Sequence, residues 1–149
     1  MEIENGLNYR AEIVALLESV KLPMEDLPPS LENFLVMHHG DQLVAVAGIE
    51  SYGQCALLRS VAVSPAFRDQ GVAAIIVESV ENIAAAKGIT AIYLLTETAS
   101  DYFKRRGYIE IARIDIPAEV QKSSEFSHVC PQSAIAMEKV LSVSDNVAT

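Results

Sequence analysis

The most informative segment of this 149-residue chain is a strand-like run that leads directly into a helix: Leu57-Leu58-Arg59-Ser60-Val61-Ala62-Val63, Ser64-Pro65-Ala66-Phe67 and Arg68-Asp69-Gln70-Gly71-Val72-Ala73. The first part is apolar at nearly every position, which is typical of a strand covered on both faces. The last part brings small residues to the start of a helix, where the first N–H groups have no partners within the helix. These amides and the helix dipole favour an anion, so the segment predicts a phosphate-binding site.

Helices and strands are predicted to alternate before this segment. Residues Tyr9 to Val20 have apolar side chains at helical spacing and predict a helix. The three prolines within Leu22 to Pro29 predict an irregular loop, which can form one wall of a pocket. Two apolar segments, Asn33 to His38 and Gln42 to Glu50, then predict a hairpin.

After the segment, a helix over Gly71 to Lys87 separates the strand Ala56 to Val63 from a second buried strand, Ala91 to Thr96. This order predicts a right-handed crossover between parallel strands. Gly88 is predicted to be the left-handed cap of the helix. The buried stripe of the helix is predicted to consist of Val72, Ile75, Ile76, Val80, Ile83 and Ala84.

The remainder of the chain predicts four further segments. A short helix from about Ser100 to Arg106 precedes a strand at Tyr108 to Ile116, and Pro117 to Phe126 forms a helical turn or loop. A final strand is expected at Ala134 to Leu141. We expect a single domain over residues 1–141 and a frayed polar tail over residues 142–149.

Composition restricts the class of protein. The net charge of −9 disfavours nucleic acid and anionic membranes as partners. No apolar run approaches the roughly 20 residues that span a bilayer, and the N-terminus lacks the pattern of a signal peptide, so a cytoplasmic protein is expected. Cys55 and Cys130 form no CxxC pair, and His38-His39 has no third ligand at suitable spacing, so no metal site is predicted. Cys130 near His128 is interpreted as a small buried thiol in preference to a nucleophile.

Two motifs resemble those of the Gcn5-related N-acetyltransferases (GNAT). Arg68 to Ala73 fits the family's R/Q-x-x-G-x-G/A signature, preceded by Val-x-Pro, and Tyr102 to Tyr108 resembles its F-Y-x-x-x-G-F segment. The resemblance covers roughly residues 5–141. It implies an α+β fold in which a mixed central sheet of about six to seven strands is splayed between its two central parallel strands and flanked by helices.

Within this family the chain is most similar to the arsenic-resistance-type N-acetyltransferases. The shared segments are Leu57 to Ser60, Tyr93 to Ala99, Glu125-Phe126 and Cys130 to Ala134. This likeness makes detoxification of an amino-acid-like toxin conceivable without identifying the acceptor. Two isolated cysteines do not form a thiolate trap, so arsenic chemistry is not inferred.

The resemblance implies that the anion is the pyrophosphate of acetyl-coenzyme A. Arg68 adds a positive charge beside the helix amides, and the strand ending at Val63 would offer backbone groups to the pantetheine arm. The alternative is that Gly71 and Ala73 only allow close packing of the helix on the sheet. The predicted cofactor-binding residues are Val61, Ala62, Val63, Arg68, Asp69, Gln70, Gly71, Val72, Ala73, Ala74 and Phe103.

The implied reaction is direct acyl transfer to a deprotonated amine, with a backbone amide near Val63 stabilising the oxyanion. The family often protonates the leaving thiolate with a tyrosine, but Phe103 stands at that position and Tyr102 precedes it. One residue turns a helical side chain by about 100°, so Tyr102 is a candidate acid, with a packed aromatic as the equal alternative. Protonation by solvent would make any acid unnecessary.

Two carboxylates are candidate bases. Glu97 follows the second central strand, where ligands collect in open parallel sheets, and Glu50 ends the strand before the opening one. The alternative is that both are solvated surface acids. Arg59 lies within an apolar run and needs a partner, which could be Glu50, Glu97 or a substrate carboxylate, while Thr96 could orient either partner.

These features predict an acetyl-coenzyme A-dependent N-acetyltransferase that acts on a primary amine of a small metabolite or amino-acid-like compound. The alternative is a non-catalytic domain that binds acyl-coenzyme A as a sensor or interaction module, which the phenylalanine at position 103 motivates. A homodimer is compatible with the sequence, which does not decide the oligomeric state.

Overall fold

A computed structural model describes residues 2–123 and 133–141. Its strands and α-helices are β1 (Glu2–Asn5), α1 (Arg10–Ser19), β2 (Phe34–His39), β3 (Gln42–Tyr52), β4 (Cys55–Val63), α2 (Val72–Ala86), β5 (Ala91–Thr96), α3 (Ser100–Arg105), β6 (Ile109–Ile111), α4 (Ala118–Gln121) and β7 (Ile135–Val140). Short 3-10 helices cover Gly6–Asn8, Pro65–Phe67 and Arg113–Asp115. Within the described residues, no helix is both long and apolar enough to cross a membrane.

The strands form one seven-stranded sheet in the order β1-β2-β3-β4-β5-β7-β6. The pair β4 and β5 is parallel, while the pairs β1–β2, β2–β3, β5–β7 and β6–β7 are antiparallel. The predicted mixed sheet flanked by helices is therefore confirmed. The parallel register comprises three pairs, from Cys55 with Ala91 to Leu57 with Tyr93. The predicted splay of these two strands beyond that register stays a prediction.

The strand expected at Tyr108 to Ile116 is wrong for most of its length. The strand β6 covers only three residues of this range, and the chain then enters a 3-10 helix at Arg113–Asp115. The residues alternate between apolar and polar types as in a strand, but Ile114 is 86% exposed. Because β6 lies at the edge of the sheet and, within the described part of the chain, pairs only with β7, no second neighbouring strand is there to extend it.

The predicted buried stripe of α2 is also partly wrong. Ile75 and Ile83 are 49% and 39% exposed, and Val77 and Glu81 are buried in their place. With about 100° between successive helical residues, positions 76, 77, 80, 81 and 84 share one side of the helix, and position 75 lies away from it. The correctly predicted members are Val72, Ile76, Val80 and Ala84.

The chain divides into two compact units. The first contains the residues up to Ile49 together with Leu58–Val80. Its core joins α1 to the sheet through Ile13, Leu16 and Leu17, and the ring of Phe34 lies where a Cβ on Gly48 would come within 2.5 Å. A side chain at position 48 would therefore displace that ring.

The second unit contains Glu50–Leu57 and the described residues from Glu81 onward. Its core consists of Leu57, Tyr93, Ile116, Val120 and Ala136. The prediction of one domain over residues 1–141 stays a prediction. The proposed tail and the pair of His128 and Cys130 lie outside the described residues.

Candidate active site

The start of α2 is the first part of the candidate site. Gly71 has a φ of +78°, which favours glycine, and its carbonyl accepts the first helical hydrogen bond from the Ile75 N–H at 3.2 Å. The N–H groups of Val72, Ala73 and Ala74 come before the residue that donates this first bond. They therefore have no carbonyl partner within the helix. A Cβ on Gly71 would meet nothing within 4 Å, so the surface beside these amides is open.

The segment before this helix contains a cationic side chain, Arg68. Arg68 is exposed, and its Nε donates to the Val63 carbonyl at 3.4 Å. Gln70 is also exposed and donates from Nε2 to the Ala66 carbonyl at 3.4 Å, while Asp69 has a φ of +63°. The guanidinium of Arg68 thus lies beside the end of β4 and close in sequence to the open helix start.

The end of β4 departs from a regular strand. Ser60 has a φ of +57°, which is uncommon for a residue with a side chain and is typical of a local irregularity such as a bulge. Beyond it, Ala62 is buried, whereas Val61 and Val63 are half-buried. The residues predicted to face the pantetheine arm therefore follow a backbone irregularity that the sequence pattern did not indicate.

Three aromatic rings meet at α3. Phe103 is 6% exposed and packs edge-on against Tyr102 and Tyr108, with ring centroids at 5.2 and 5.4 Å. The Tyr108 hydroxyl donates to Glu81 Oε2 at 2.8 Å, and burial raises the pKa of Tyr108. The Tyr102 hydroxyl is buried and has no hydrogen-bond partner among the described residues. Burial also raises the pKa of Tyr102, so this hydroxyl carries its proton at neutral pH.

Arg59 is 3% exposed and lies on β4, as the apolar run predicted. Its Nη2 forms an ion pair with Asp26 Oδ1 at 2.7 Å, and its Nε donates to Ser60 Oγ at 3.1 Å. Asp26 belongs to the proline-rich loop and was not among the partners considered from sequence. The second carboxylate oxygen, Asp26 Oδ2, is buried and has no hydrogen bond within the described part of the chain.

The two candidate bases have different surroundings. Glu50 is half-buried near the end of β3, and its Oε1 accepts a hydrogen bond from the Tyr52 hydroxyl at 2.6 Å. Glu97 is exposed just after β5. Thr96 Oγ1 accepts from the Ala99 N–H at 3.0 Å, so its side chain helps to form the turn into α3. Tyr52 was missed by sequence reasoning, although its position two residues after Glu50 on a strand was the available signal.

The family model that matches this chain is the acetyltransferase (GNAT) family, over residues 8–108. The chain belongs to this family. The matched region contains every residue predicted for cofactor binding, acceptor binding and catalysis.

Two curated relatives of this GNAT acetyltransferase differ in how much of their length it spans. An uncharacterised N-acetyltransferase from Chlorobaculum tepidum is 30% identical over 138 residues, which are 89% of this chain and 84% of the relative. An amino-acid acetyltransferase from Haemophilus ducreyi is 24% identical over 80% of this chain but only 28% of the relative. The chain therefore spans little more than a quarter of the latter enzyme.

Among solved structures, N-acetylglutamate synthase from Neisseria gonorrhoeae, complexed with coenzyme A and N-acetyl-glutamate, superimposes with a TM-score of 0.78. It is 17% identical and matches 94% of this GNAT acetyltransferase and 35% of its own chain. At this identity the likeness shows the fold alone. Among residues 2–123 and 133–141 of this acetyltransferase, no group of three His, Cys, Asp or Glu side chains could hold a metal ion.

Proposed function

We propose that this GNAT protein transfers the acetyl group of acetyl-coenzyme A directly to a primary amine of a small metabolite or amino-acid-like compound. The observation that carries the proposal is the open start of α2, where the amides of Val72 to Ala74 precede the first helical bond. The coenzyme A in the structure of the gonococcal N-acetylglutamate synthase supports the choice of donor.

The start of α2 has the chemistry that a pyrophosphate needs. Amide donors and the positive end of the helix dipole favour phosphate oxygens, and the absent side chain of Gly71 leaves room for their approach. Arg68 adds a formal positive charge, and the edge of β4 at Val61 to Val63 would pair with the amides of the pantetheine arm. The proposed cofactor set is unchanged from the sequence: Val61, Ala62, Val63, Arg68, Asp69, Gln70, Gly71, Val72, Ala73, Ala74 and Phe103.

The chain's own residues supply three tasks in the transfer. Glu50 or Glu97 removes a proton from the acceptor ammonium and leaves a lone pair on nitrogen. The N–H near Val63 stabilises the negative charge that develops on the thioester oxygen. Tyr102 donates its hydroxyl proton to the departing sulfur, which its raised pKa permits because the hydroxyl remains protonated at neutral pH.

The acceptor is the finer part of the proposal. The amino-acid acetyltransferase relative supports an amino-acid-like amine, and the likeness to arsenic-resistance-type enzymes adds amino-acid-like toxins to the compounds worth testing. Arg59 and Thr96 are proposed to contact this acceptor. A carboxylate that reached Arg59 would have to share or replace its ion pair with Asp26. A cytoplasmic location and a homodimer remain predictions.

The test combines calorimetry with a thiol-release assay. Coenzyme A is titrated into the purified protein, and acetyl-coenzyme A is then incubated with a panel of amino acids, alkyl amines and amino-acid-like toxins. We expect binding of coenzyme A and amine-dependent release of thiol. Binding without release for any amine would favour the acyl-coenzyme A sensor suggested by Phe103, and absence of binding would contradict both functions.

A further inference from the structure

Tyr52 and Glu50 form a close pair at the end of β3. They are two residues apart on a strand, so their side chains point to the same face of the sheet. The Tyr52 hydroxyl donates to Glu50 Oε1 at 2.6 Å, which is at the short end of the range for a hydrogen bond between two oxygens. This contact fixes one oxygen of a carboxylate that is otherwise carried by a flexible side chain.

The position of the Tyr52 ring is set by packing and by the turn that follows it. The ring packs against the core cluster that contains Leu57 and Tyr93. The Cys55 thiol donates to the Tyr52 carbonyl at 3.2 Å, and Gly53 has a φ of +68° in the tight turn between β3 and β4. The phenol is therefore held by the strand, the turn and the core, independently of the carboxylate to which it donates.

Of the two candidate bases, Glu50 is the one with this support. Glu97 is exposed after β5, whereas Glu50 is half-buried and held by a donor that is itself anchored. A catalytic carboxylate gains from such preorganisation because less freedom has to be lost when the acceptor binds.

We propose that Tyr52 is a positioning residue that holds Glu50 as the base of the transfer. This inference rests on the proposed function. In the step concerned, the acceptor's N–H bond breaks, its proton passes to the Glu50 carboxylate, and the nitrogen retains the electron pair that attacks the thioester. Tyr52 keeps its own proton throughout and acts only through Glu50.

The experiment is a double-mutant cycle on the full chain with the best amine from the panel. Glu50→Gln should lower kcat about 100-fold, as expected for loss of a general base. Tyr52→Phe keeps the ring and should lower kcat about tenfold, as expected for loss of one hydrogen bond to a charged group, with KM for acetyl-coenzyme A unchanged. The double variant should be no slower than Glu50→Gln, because no general base is then left for Tyr52 to position.

A matched control is available in the other unit. The Tyr9 hydroxyl donates to Glu4 Oε2, also at 2.6 Å, so Tyr9→Phe removes an equivalent bond. Its kcat should equal that of the wild type. Melting temperatures of all variants separate a loss of positioning from a loss of folded protein.

Three outcomes would overturn the inference. Losses that add up in the double variant would show that Tyr52 acts independently of Glu50, and a Glu50→Gln variant with wild-type kcat would exclude Glu50 as the base. In both cases the wild-type protein would still transfer the acetyl group, so the proposed function would be unaffected. A wild-type protein that acetylates no amine would instead refute the proposed function, and this inference with it.

Discussion

At the scale of single residues, the hydroxyl of Tyr102 is unusual because it is buried and has no hydrogen-bond partner in the described part of the chain. A buried polar group without a partner costs about 1–3 kcal/mol. The presence of this hydroxyl is therefore not explained by a contribution to the stability of the fold. It is better explained by a partner that arrives with the substrates, and the departing sulfur is the partner proposed above.

The variant Tyr102→Phe tests this role. We expect kcat for thiol release to fall on the order of 100-fold, because the proton donor is lost. The free energy of unfolding in urea should rise by about 1–3 kcal/mol, because the variant loses no hydrogen bond and removes an unpaired buried hydroxyl. Tyr108→Phe is the matched comparison: it removes the bond to Glu81, so its stability should fall. An unchanged rate in Tyr102→Phe would remove this hydroxyl from the mechanism.

Gly71 offers a second test at this scale. Gly71→Glu places a negative side chain beside the helix amides, so we expect the affinity for coenzyme A to fall at least about 100-fold in a calorimetric titration.

Gly40→Glu is the control for this change. Gly40 has a φ of +61° and Gly71 one of +78°, and a Cβ on either would meet nothing within 4 Å. Both variants therefore incur a similar backbone cost of about 1–2 kcal/mol. Gly40→Glu should bind coenzyme A like the wild type. Equal affinities in the two variants would contradict the assignment of the pyrophosphate site.

At the scale of elements, α2 makes a polar contact with β7 inside the second unit. Glu81 is 8% exposed; its Oε2 accepts from the Tyr108 hydroxyl at 2.8 Å, and its Oε1 accepts from Lys139 Nζ at 3.0 Å. Lys139 also lies over the Tyr108 ring, 5.6 Å from the centroid. Glu81 therefore satisfies one buried hydroxyl and one cation together.

Removal of this carboxylate should be strongly destabilising. For Glu81→Ala we expect the free energy of unfolding to fall by about 3 kcal/mol, because a partly buried cation and a buried hydroxyl lose their acceptor. Urea denaturation measures the change. The exposed Asn82, next to it on α2, provides the control: Asn82→Ala should stay within about 0.5 kcal/mol of the wild type. Equal stability of the two variants would show that the contact contributes nothing.

At the scale of the whole molecule, the net charge of −9 acts on charged substrates before they bind. An acidic surface attracts a cationic amine, and salt screens this attraction. We expect kcat/KM for an alkyl ammonium acceptor to fall several-fold when NaCl rises from about 20 to about 200 mM, with kcat unchanged. An acceptor that is uncharged at the assay pH should not show the fall. The same dependence for both acceptors would contradict steering by charge.

Much of the fold was predictable because local patterns agreed with the tertiary context. The run from Cys55 to Val63 forms a central strand that is buried from Ala56 to Arg59, and the small residues after it do begin a helix. The wrong predictions concern apolar residues whose spacing fits a strand or a buried helix face but whose side chains are exposed in the described part of the fold. Ile114 belongs to an alternating apolar and polar pattern but is exposed beyond the edge strand β6. Ile75 is an apolar residue that lies outside the buried side of α2.

The sequence by itself identified the family, and it predicts where an anion would bind, because the amides at a helix start and the absent side chain of Gly71 are properties of adjacent residues. Only the tertiary structure decided the partners of the polar side chains. The pairing of Arg59 with Asp26 joins residues 33 positions apart, and that of Glu81 with Tyr108 joins residues 27 apart. Such contacts depend on the path of loops and on the packing of helices, for which no short pattern exists.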